Sequence, residues 1–533
     1  MGMRDLPGGL ADVTGPARSP REDATAVAGL PPHEHAKGLR IVLAGVLLYV
    51  ALHMGFRLLA SSTLGEDDTL DQLLAQELRF GYDPRQPPLY DWVLYAVQQV
   101  TGPHLVSFLT IKYAALTATA VFLYLAASRV LADRLWAVLT VESLALIYQI
   151  SWRYHEGFTH EVLAMTAVAA TLWAFLRLHD RGSRGDHVLF GLIAGLGLLT
   201  EPNYAVYQLC LWGAVALDQA IRHRVLRPAL AISALLAAAI AAPFALWVVH
   251  DPAHWRAILQ PSANGHARDV LIGLKDAVRG PFMYLSPLVV ILPLAFPGFL
   301  RTAAADLRAL WHDPATHAGR LDLLVARATL LGLVLSVLGA VTLGIGGYAM
   351  HVLMPLYVAS VIWLFAIAQR SRASSRRLKI FAVIALLIAV AAFNARMANM
   401  FILDPVCNKC RWGIPYAELA REMRKAGVGD RATIVTTGHE LGGNLRQHFP
   451  KARIVLGDDA LRQPPGPGAL GDVVVVVADA APTDRRGEAL AAALTARGLH
   501  ADPARVVDVP WHHLWRPKGY RTSPWRIQVL RRP

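Results

Sequence analysis

An all-α polytopic transmembrane fold of about 11 helices, carrying a small C-terminal α/β domain, is predicted by three features of the sequence. Apolar runs of membrane-crossing length recur between residues 41 and 400, Lys and Arg cluster in alternate gaps between them, and the chain changes character after about residue 402. Of the 533 residues, 54% are hydrophobic and 17% charged, and the mean hydropathy is +0.38. A soluble chain carries about a quarter charged residues, so composition alone sets the class. Residues 1–39 are rich in Gly, Pro and charge, with no apolar stretch before Arg40. They are predicted to be a disordered cytoplasmic tail, not a cleavable signal peptide.

The expected spans begin with Arg40–Ser61 and continue at 104–128, 135–151, 158–177, 187–200, 203–220, 228–249, 281–300, 323–346, 350–368 and 379–398. Threaded alternately, they leave Arg129 and Arg134 on one side, with Arg177, Arg181 and Arg184, then Arg222, Arg224 and Arg227. Arg301, Arg308 and Arg320, and finally Arg370, Arg372, Arg376, Arg377 and Lys379, fall on that side too. Cytoplasmic loops carry an excess of Lys and Arg, which accounts for the net charge of +13 without nucleic acid as a partner. The 40–401 core is therefore expected to cross a bacterial inner membrane, with 62–103, 250–280 and 402–533 on the periplasmic side.

In that last segment, 415–426 and 486–497 read as helices. Segments 432–437, 452–456, 472–477 and 525–530 read as strands. Val473–Val477 is continuously apolar, as a strand buried on both faces requires. Cys407 and Cys410 stand where the chain leaves the last span on the outer side, so a disulfide is expected, with a redox-active pair as the alternative. Cys210 lies inside a span and is expected to be packed there.

The first outer loop carries the strongest chemical signal. It reads Gly65-Glu66-Asp67-Asp68-Thr69-Leu70-Asp71-Gln72, then a helical stretch, then Phe80-Gly81-Tyr82-Asp83-Pro84-Arg85-Gln86-Pro87-Pro88-Leu89-Tyr90-Asp91-Trp92. Acids crowded at a helix end repel one another unless they meet cations, a metal or a solvated cavity. Pro87 and Pro88 fix an extended backbone, and a helix beginning after Asp68 gives that acid a favourable position at an N-terminus. An acidic surface loop that only holds this segment outside is the plainer alternative. The ordered pattern favours a reentrant loop that presents one carboxylate at the membrane surface.

This loop is similar to that of the GT-C glycosyltransferases of the protein O-mannosyltransferase and aminoarabinose transferase (ArnT-like) type. Their bacterial members have an Asp-Glu pair, a helix, Gly-Tyr and a Pro-Pro-Leu-Tyr-like segment. Asp67 takes the position of that Asp, and Asp68 stands where the family has Glu. The resemblance continues at Trp152–His160, at Gly195–Glu201 (where members often carry Lys in place of Glu201), at Tyr348–Pro355 with His351, and at Gly442–Arg446 with Phe449-Pro450.

The resemblance implies a GT-C-like fold and an inverting transferase. Its donor is a sugar on a polyprenyl phosphate; its acceptor is a hydroxyl of an envelope glycan, lipid or protein. Asp67 would be the general base, with Asp68 beside it as the second catalytic candidate. Candidates for binding substrate are Tyr82, Arg85, Gln86, Tyr90, His155, Glu156, His160, Arg256 and His351. The departing phosphate needs positive charge, for which Arg85, Arg153, Arg256, Arg268, Lys275 and Arg279 are the outer-side candidates.

No cofactor is called for by this chemistry. A divalent metal held by His155, Glu156, His160 and Glu161 stays open beside a substrate-lining or structural role for them. Lys112 and Glu142 lie in or near spans, where charge marks function or a mutual pair. Arg57 is near enough to a helix end to snorkel. Two other classes remain: a transporter or flippase of a lipid-linked glycan, and a noncatalytic envelope scaffold. The chain lacks the repeated halves common in transporters, and a scaffold has no need of Asp67.

Overall fold

The computed structural model describes residues 32–259, 267–312, 318–343, 345, 347–371, 374–407, 410–457, 473–480, 485–496, 498–513 and 515–531. Most of the expected N-terminal tail lies outside the described residues, and helix α1 (Pro32–Ala60) starts before Arg40. The chain then forms two short helices, α2 (Glu66–Leu74) and α3 (Leu89–Thr101), before α4 (Leu105–Val130) enters the bundle. The segment expected as a third span is broken into α5 (Arg134–Glu142), a 3-10 turn at Ser143–Leu146 and α6 (Tyr148–Ser151).

Next come α7 (His160–Asp180), α8 (Arg184–Leu198), α9 (Pro202–Ala216), α10 (Gln219–Val225), α11 (Leu230–His250), α12 (Pro252–Leu259) and α13 (Ala267–Tyr284). The bundle is completed by α14 (Leu288–Ala295), α15 (Phe299–His312), α16 (Leu321–Thr342), α17 (Met354–Tyr357), α18 (Ser360–Arg370) and α19 (Ser375–Ala398). Local chemistry sets several starts. Asp133 caps α5, Ser183 and Asp186 form a reciprocal capping box on α8, and Ser374 caps α19. Pro202 opens α9, where its missing N–H costs nothing.

Among the described residues, six helices (α1, α4, α7, α11, α16 and α19 with its extension to Leu403) are long and apolar enough to cross a bilayer. Two bent pairs also pass: α14 with α15, which meet at 109°, and His351–Tyr357 with α18, at 54°. The expected span 281–300 is thus a sharp elbow. Expected spans 187–200 and 203–220 correspond to α8 and α9, of 15 residues each. At 1.5 Å per residue they reach ~22 Å, against a hydrocarbon thickness of ~30 Å.

The centre of the bundle is α4 against α7: 61% and 67% of their apolar windows are buried, against 11% for α1 and 17% for α11 and α19. The outer helices turn leucines outward, among them Leu59, Leu235, Leu386 and Leu387. Such rows suit a lipid surface.

Beyond α19 lies the small mixed domain, with α20 (Tyr416–Lys425), β1 (Thr433–Thr436), α21 (His439–Arg446), β2 (Arg453–Leu456), β3 (Val473–Asp479), α22 (Arg486–Thr495), β4 (His500–Ala501), β5 (Arg505–His513) and β6 (Arg516–Arg531). The sheet order is β2-β1-β3-β6-β4, with β5 also on β6; β1 is parallel to β2 and β3, and β3 is antiparallel to β6. The central position of β3 explains its run of valines, buried from Val474 to Val477. The last strand is longer than the 525–530 expected, and it forms a hairpin with β5.

Candidate active site

Helix α2 is clamped from two sides, and glycines make both approaches possible. A Cβ on Gly65 would lie 2.1 Å from the carbonyl oxygen of Glu156. On the other side, a Cβ on Gly443 of α21 would lie 2.3 Å from the carbonyl oxygen of Thr69. The mixed domain reinforces the contact with polar bonds. Leu64 N–H donates to Asn444 Oδ1 at 2.8 Å, Gln447 Nε2 donates to Ser62 O at 2.9 Å, and Arg446 donates to the carbonyls of Gln72 and Ala75. Gln76 exchanges two 2.9 Å bonds with the backbone of Ile454. The helix starts at Glu66, earlier than expected, so Glu66, Asp67 and Asp68 all stand in its first turn, where the macrodipole favours negative charge.

The acids of the loop then diverge. Glu66 reaches Arg411 at 3.4 Å. Asp68 accepts from Lys112 at 2.6 Å in a pair with both side chains buried. This corrects the expected Lys112–Glu142 pair: Glu142 packs instead against Gly45 of α1. It also makes Asp68 an ion-paired anchor of α2 on α4. Asp71 and Asp91 share the His160 imidazole, with Nε2 at 3.6 and 3.7 Å from their nearest oxygens. Asp67 is solvent-accessible and has no ion pair or hydrogen bond among the described residues. Surrounding protein pushes its carboxyl up to about 7, helped by the charges of Glu161, Asp71 and Asp68, with Lys112 opposing.

Glu161 and Glu201 extend the acidic character around Asp67. Glu161 lies 3.7 Å from His351, itself packed on Phe158 at 5.2 Å between ring centres. Glu201 is buried and accepts from Asn203 at 3.1 Å; burial first, then Glu161, raises its carboxyl above the usual range.

Other predicted positions separate into two groups. His155 is buried with its ring nitrogens 2.7 and 3.0 Å from the hydroxyls of Tyr49 and Tyr113, and its ring is stacked on His53. Burial, then His53, Arg396 and Lys112, holds its pKa well below the ordinary imidazole value. Glu156 pairs with Arg153 at 2.9 Å and approaches Arg396 at 3.9 Å. Among the described residues, His155, Glu156, His160 and Glu161 therefore do not converge as one metal set. Tyr90 is buried near the Asp71–Asp91–His160 group, its ring 5.4 Å from that of His160. Tyr82, Arg85 and Gln86 belong to the turn that precedes α3. Tyr82 donates to Glu77 O at 2.7 Å, and the Arg85 and Gln86 N–H groups donate to Asp83.

Arg256 and Lys275 are exposed, Arg279 pairs with Asp276 at 3.3 Å, and the Arg268 side chain lies outside the described residues. Two buried cations outside the phosphate candidates, Arg57 and Arg396, lie around Tyr113. Arg57 does not snorkel: it donates to the carbonyls of Ser61 and Thr63 and lies 4.7 Å from the Trp412 ring. Arg396 donates to the carbonyls of Trp152 and His155 at 3.2 and 3.1 Å. Both interact electrostatically with Tyr113, which lines an apolar groove of about 600 Å³ between α1 and α4 with Val50, Met54, Thr110, Thr117 and Phe122. Cys407 and Cys410 form the expected disulfide, and Cys210 is free and buried.

Residues 85–247 match the family model described as dolichyl-phosphate-mannose-protein mannosyltransferase. Two curated relatives from Rhizobium johnstonii are similar over most of the chain. The lipopolysaccharide core galacturonosyltransferase RgtA is 26% identical over 89% of this chain and 94% of its own. The corresponding RgtB is 25% identical over 78% and 83%. In fold the chain resembles ArnT from Cupriavidus metallidurans in the apo state, with a TM-score of 0.59 at 13% identity over 93% of this chain and 98% of that one. ArnT bound to undecaprenyl phosphate gives 0.58 at 14% identity, over 92% and 97%. The chain is a multi-pass membrane protein with the ArnT-like GT-C fold, and the proteins it is similar to are glycosyltransferases.

Proposed function

We infer that this protein transfers a sugar from a polyprenyl-phosphate donor to a hydroxyl of a lipopolysaccharide-type envelope glycan, on the periplasmic face, with inversion. The observation that carries the reading is Asp67: among the four acids of α2 it alone is both accessible and without a counter-cation among the described residues. A carboxyl near pKa 7 is suited to general-base work at neutral pH. The acceptor oxygen attacks the anomeric carbon as its proton passes to Asp67, and the bond to the polyprenyl phosphate oxygen breaks in the same displacement. The groove between α1 and α4 suits the lipid tail, and Arg57 and Arg396 near its end suit the leaving phosphate. The relatives that act on lipopolysaccharide core favour that acceptor class.

The basic clusters favour a cytoplasmic N-terminus, with a core over 40–401 and a periplasmic domain over 402–533. The contacts of α21 with α2 support a role for that domain in holding the catalytic loop.

The test is transfer of labelled sugars, including a uronic acid and a pentose, from polyprenyl phosphate to purified lipopolysaccharide core. The expected kcat/KM rises with pH through about 7 and then levels, because the ionised fraction of Asp67 grows as pH passes its raised pKa. A folded protein that transfers from no donor in the panel would overturn the reading.

A further inference from the structure

We propose that Asp71, Asp91 and His160 form a binding site for a divalent first-row metal ion, of the Zn²⁺ or Mn²⁺ kind, which ties α2, α3 and α7 together behind Asp67. Each residue comes from a different element, and one ligand atom from each lies within 4.8 Å of the other two. The imidazole Nε2 stands 3.6 Å from Asp71 Oδ1 and 3.7 Å from Asp91 Oδ2. Those separations are too long for N–H···O hydrogen bonds. They approach the spacing of donors on a shared ion, since bonds of ~2.0–2.2 Å at tetrahedral angles set neighbouring ligand atoms ~3.4 Å apart.

A second, independent observation points the same way. Asp71 Oδ2, Asp91 Oδ1, His160 Nδ1 and the Tyr90 hydroxyl are buried and have no hydrogen-bond partner. Buried polar atoms in folded proteins are overwhelmingly paired; an ion on His160 Nε2 would partner the two orphaned carboxylate oxygens and lie beside the Tyr90 hydroxyl, whereas Nδ1 is outside its reach. Tyr90 is fully buried, and its hydroxyl feels the charges of Asp68, Asp71 and Asp91, so it faces the same space.

Charge balance argues for a cation in particular. Two buried carboxylates with one imidazole leave a net negative charge even when the imidazole is protonated. Lys112, the nearby buried cation, is already held by Asp68 at 2.6 Å. A divalent ion with a neutral imidazole brings the group to neutrality and removes the desolvation cost. A donor set of two carboxylates and one imidazole favours Zn²⁺ or Mn²⁺ over Ca²⁺ or Mg²⁺.

The test uses full-length protein in detergent, loaded with Zn²⁺ or Mn²⁺, desalted and analysed by mass spectrometry for metal. The expected result is about one ion per chain, falling below about a tenth in D91N and H160Q. Chelation of the wild type should lower its unfolding temperature by several degrees, with recovery on reloading. Should the variants fail to fold, pulsed EPR of the Mn²⁺-loaded wild type decides: one ion coupled to an imidazole nitrogen supports the site. A wild type that retains no stoichiometric ion, variants that retain as much as the wild type, or an ion without nitrogen coupling would each overturn it. These readouts need no sugar transfer, so the metal site and the transferase reading stand or fall separately.

Discussion

The two ends of α4 and α7 treat charge in opposite ways. At the arginine-rich end, five carboxylates each have a cation. Asp218 accepts from Arg327 at 2.6 Å, Asp322 from Arg320 at 2.7 Å, Asp186 from Arg177 at 3.0 Å and Asp306 from Arg370; Asp180 pairs with Arg129. At the other end, Asp71 and Asp91 share one imidazole, Glu201 leaves an oxygen unpartnered, and Asp67 has no ion pair among the described residues. Both ends belong to the same helices: Lys112 and Arg129 on α4, His160 and Asp180 on α7. Paired charges lock helices together, whereas unbalanced acids raise one another's pKa and destabilise the fold unless they serve chemistry. The second end is therefore where function should be sought.

The sharpest way to break this contrast is to remove one cation from each end. K112M and R327M each leave a buried carboxylate without its cation, and each should cost ~3–5 kcal/mol of stability. Residual folded protein should differ in activity: R327M should transfer sugar at close to wild-type rate per folded molecule, and K112M should not, because α2 loses its anchor. Activity normalised to the folded fraction checks this. Next in size is R446A, which removes charged hydrogen bonds from α21 to α2, worth roughly 1.5–3 kcal/mol each. It should lower transfer several-fold and make residues 66–76 more open to hydrogen exchange. The smallest effect is expected at the arginine-rich surface: R129A should change thermal stability by ~0–1 kcal/mol, because both partners are partly exposed, and should leave transfer unchanged.

Much of the acidic end was legible in the sequence, because its parts are local. The run from Gly65 to Gln72, followed by Gly81-Tyr82 and Pro87-Pro88, marks a structured loop and directs attention to Asp67. The convergence of Asp71, Asp91 and His160 was not legible, since it joins three elements and no sequence period encodes it. Lys112 misled for a related reason. Its position in a span leaves a functional role or a pair with Glu142 open, yet it lies two turns from the Leu105 end of α4, within reach of Asp68. The long hairpin of β5 and β6 was missed because Pro510, Pro517 and Pro524 interrupt its alternation; proline is tolerated on edge strands and at bulges, and reads in sequence as a break. The central strands, with their unbroken valines, were read correctly.

The central claim, that the carboxylate without a counter-cation at this end is the base, is tested most directly by D67N. Sugar transfer from polyprenyl phosphate should be measured beside the wild type, with folding and donor binding checked in parallel. The predicted result is a loss of about 10²–10⁴ in kcat with fold and donor affinity retained, and with it loss of the acid limb near pH 7. A folded D67N protein that transfers within a few-fold of the wild type would contradict it.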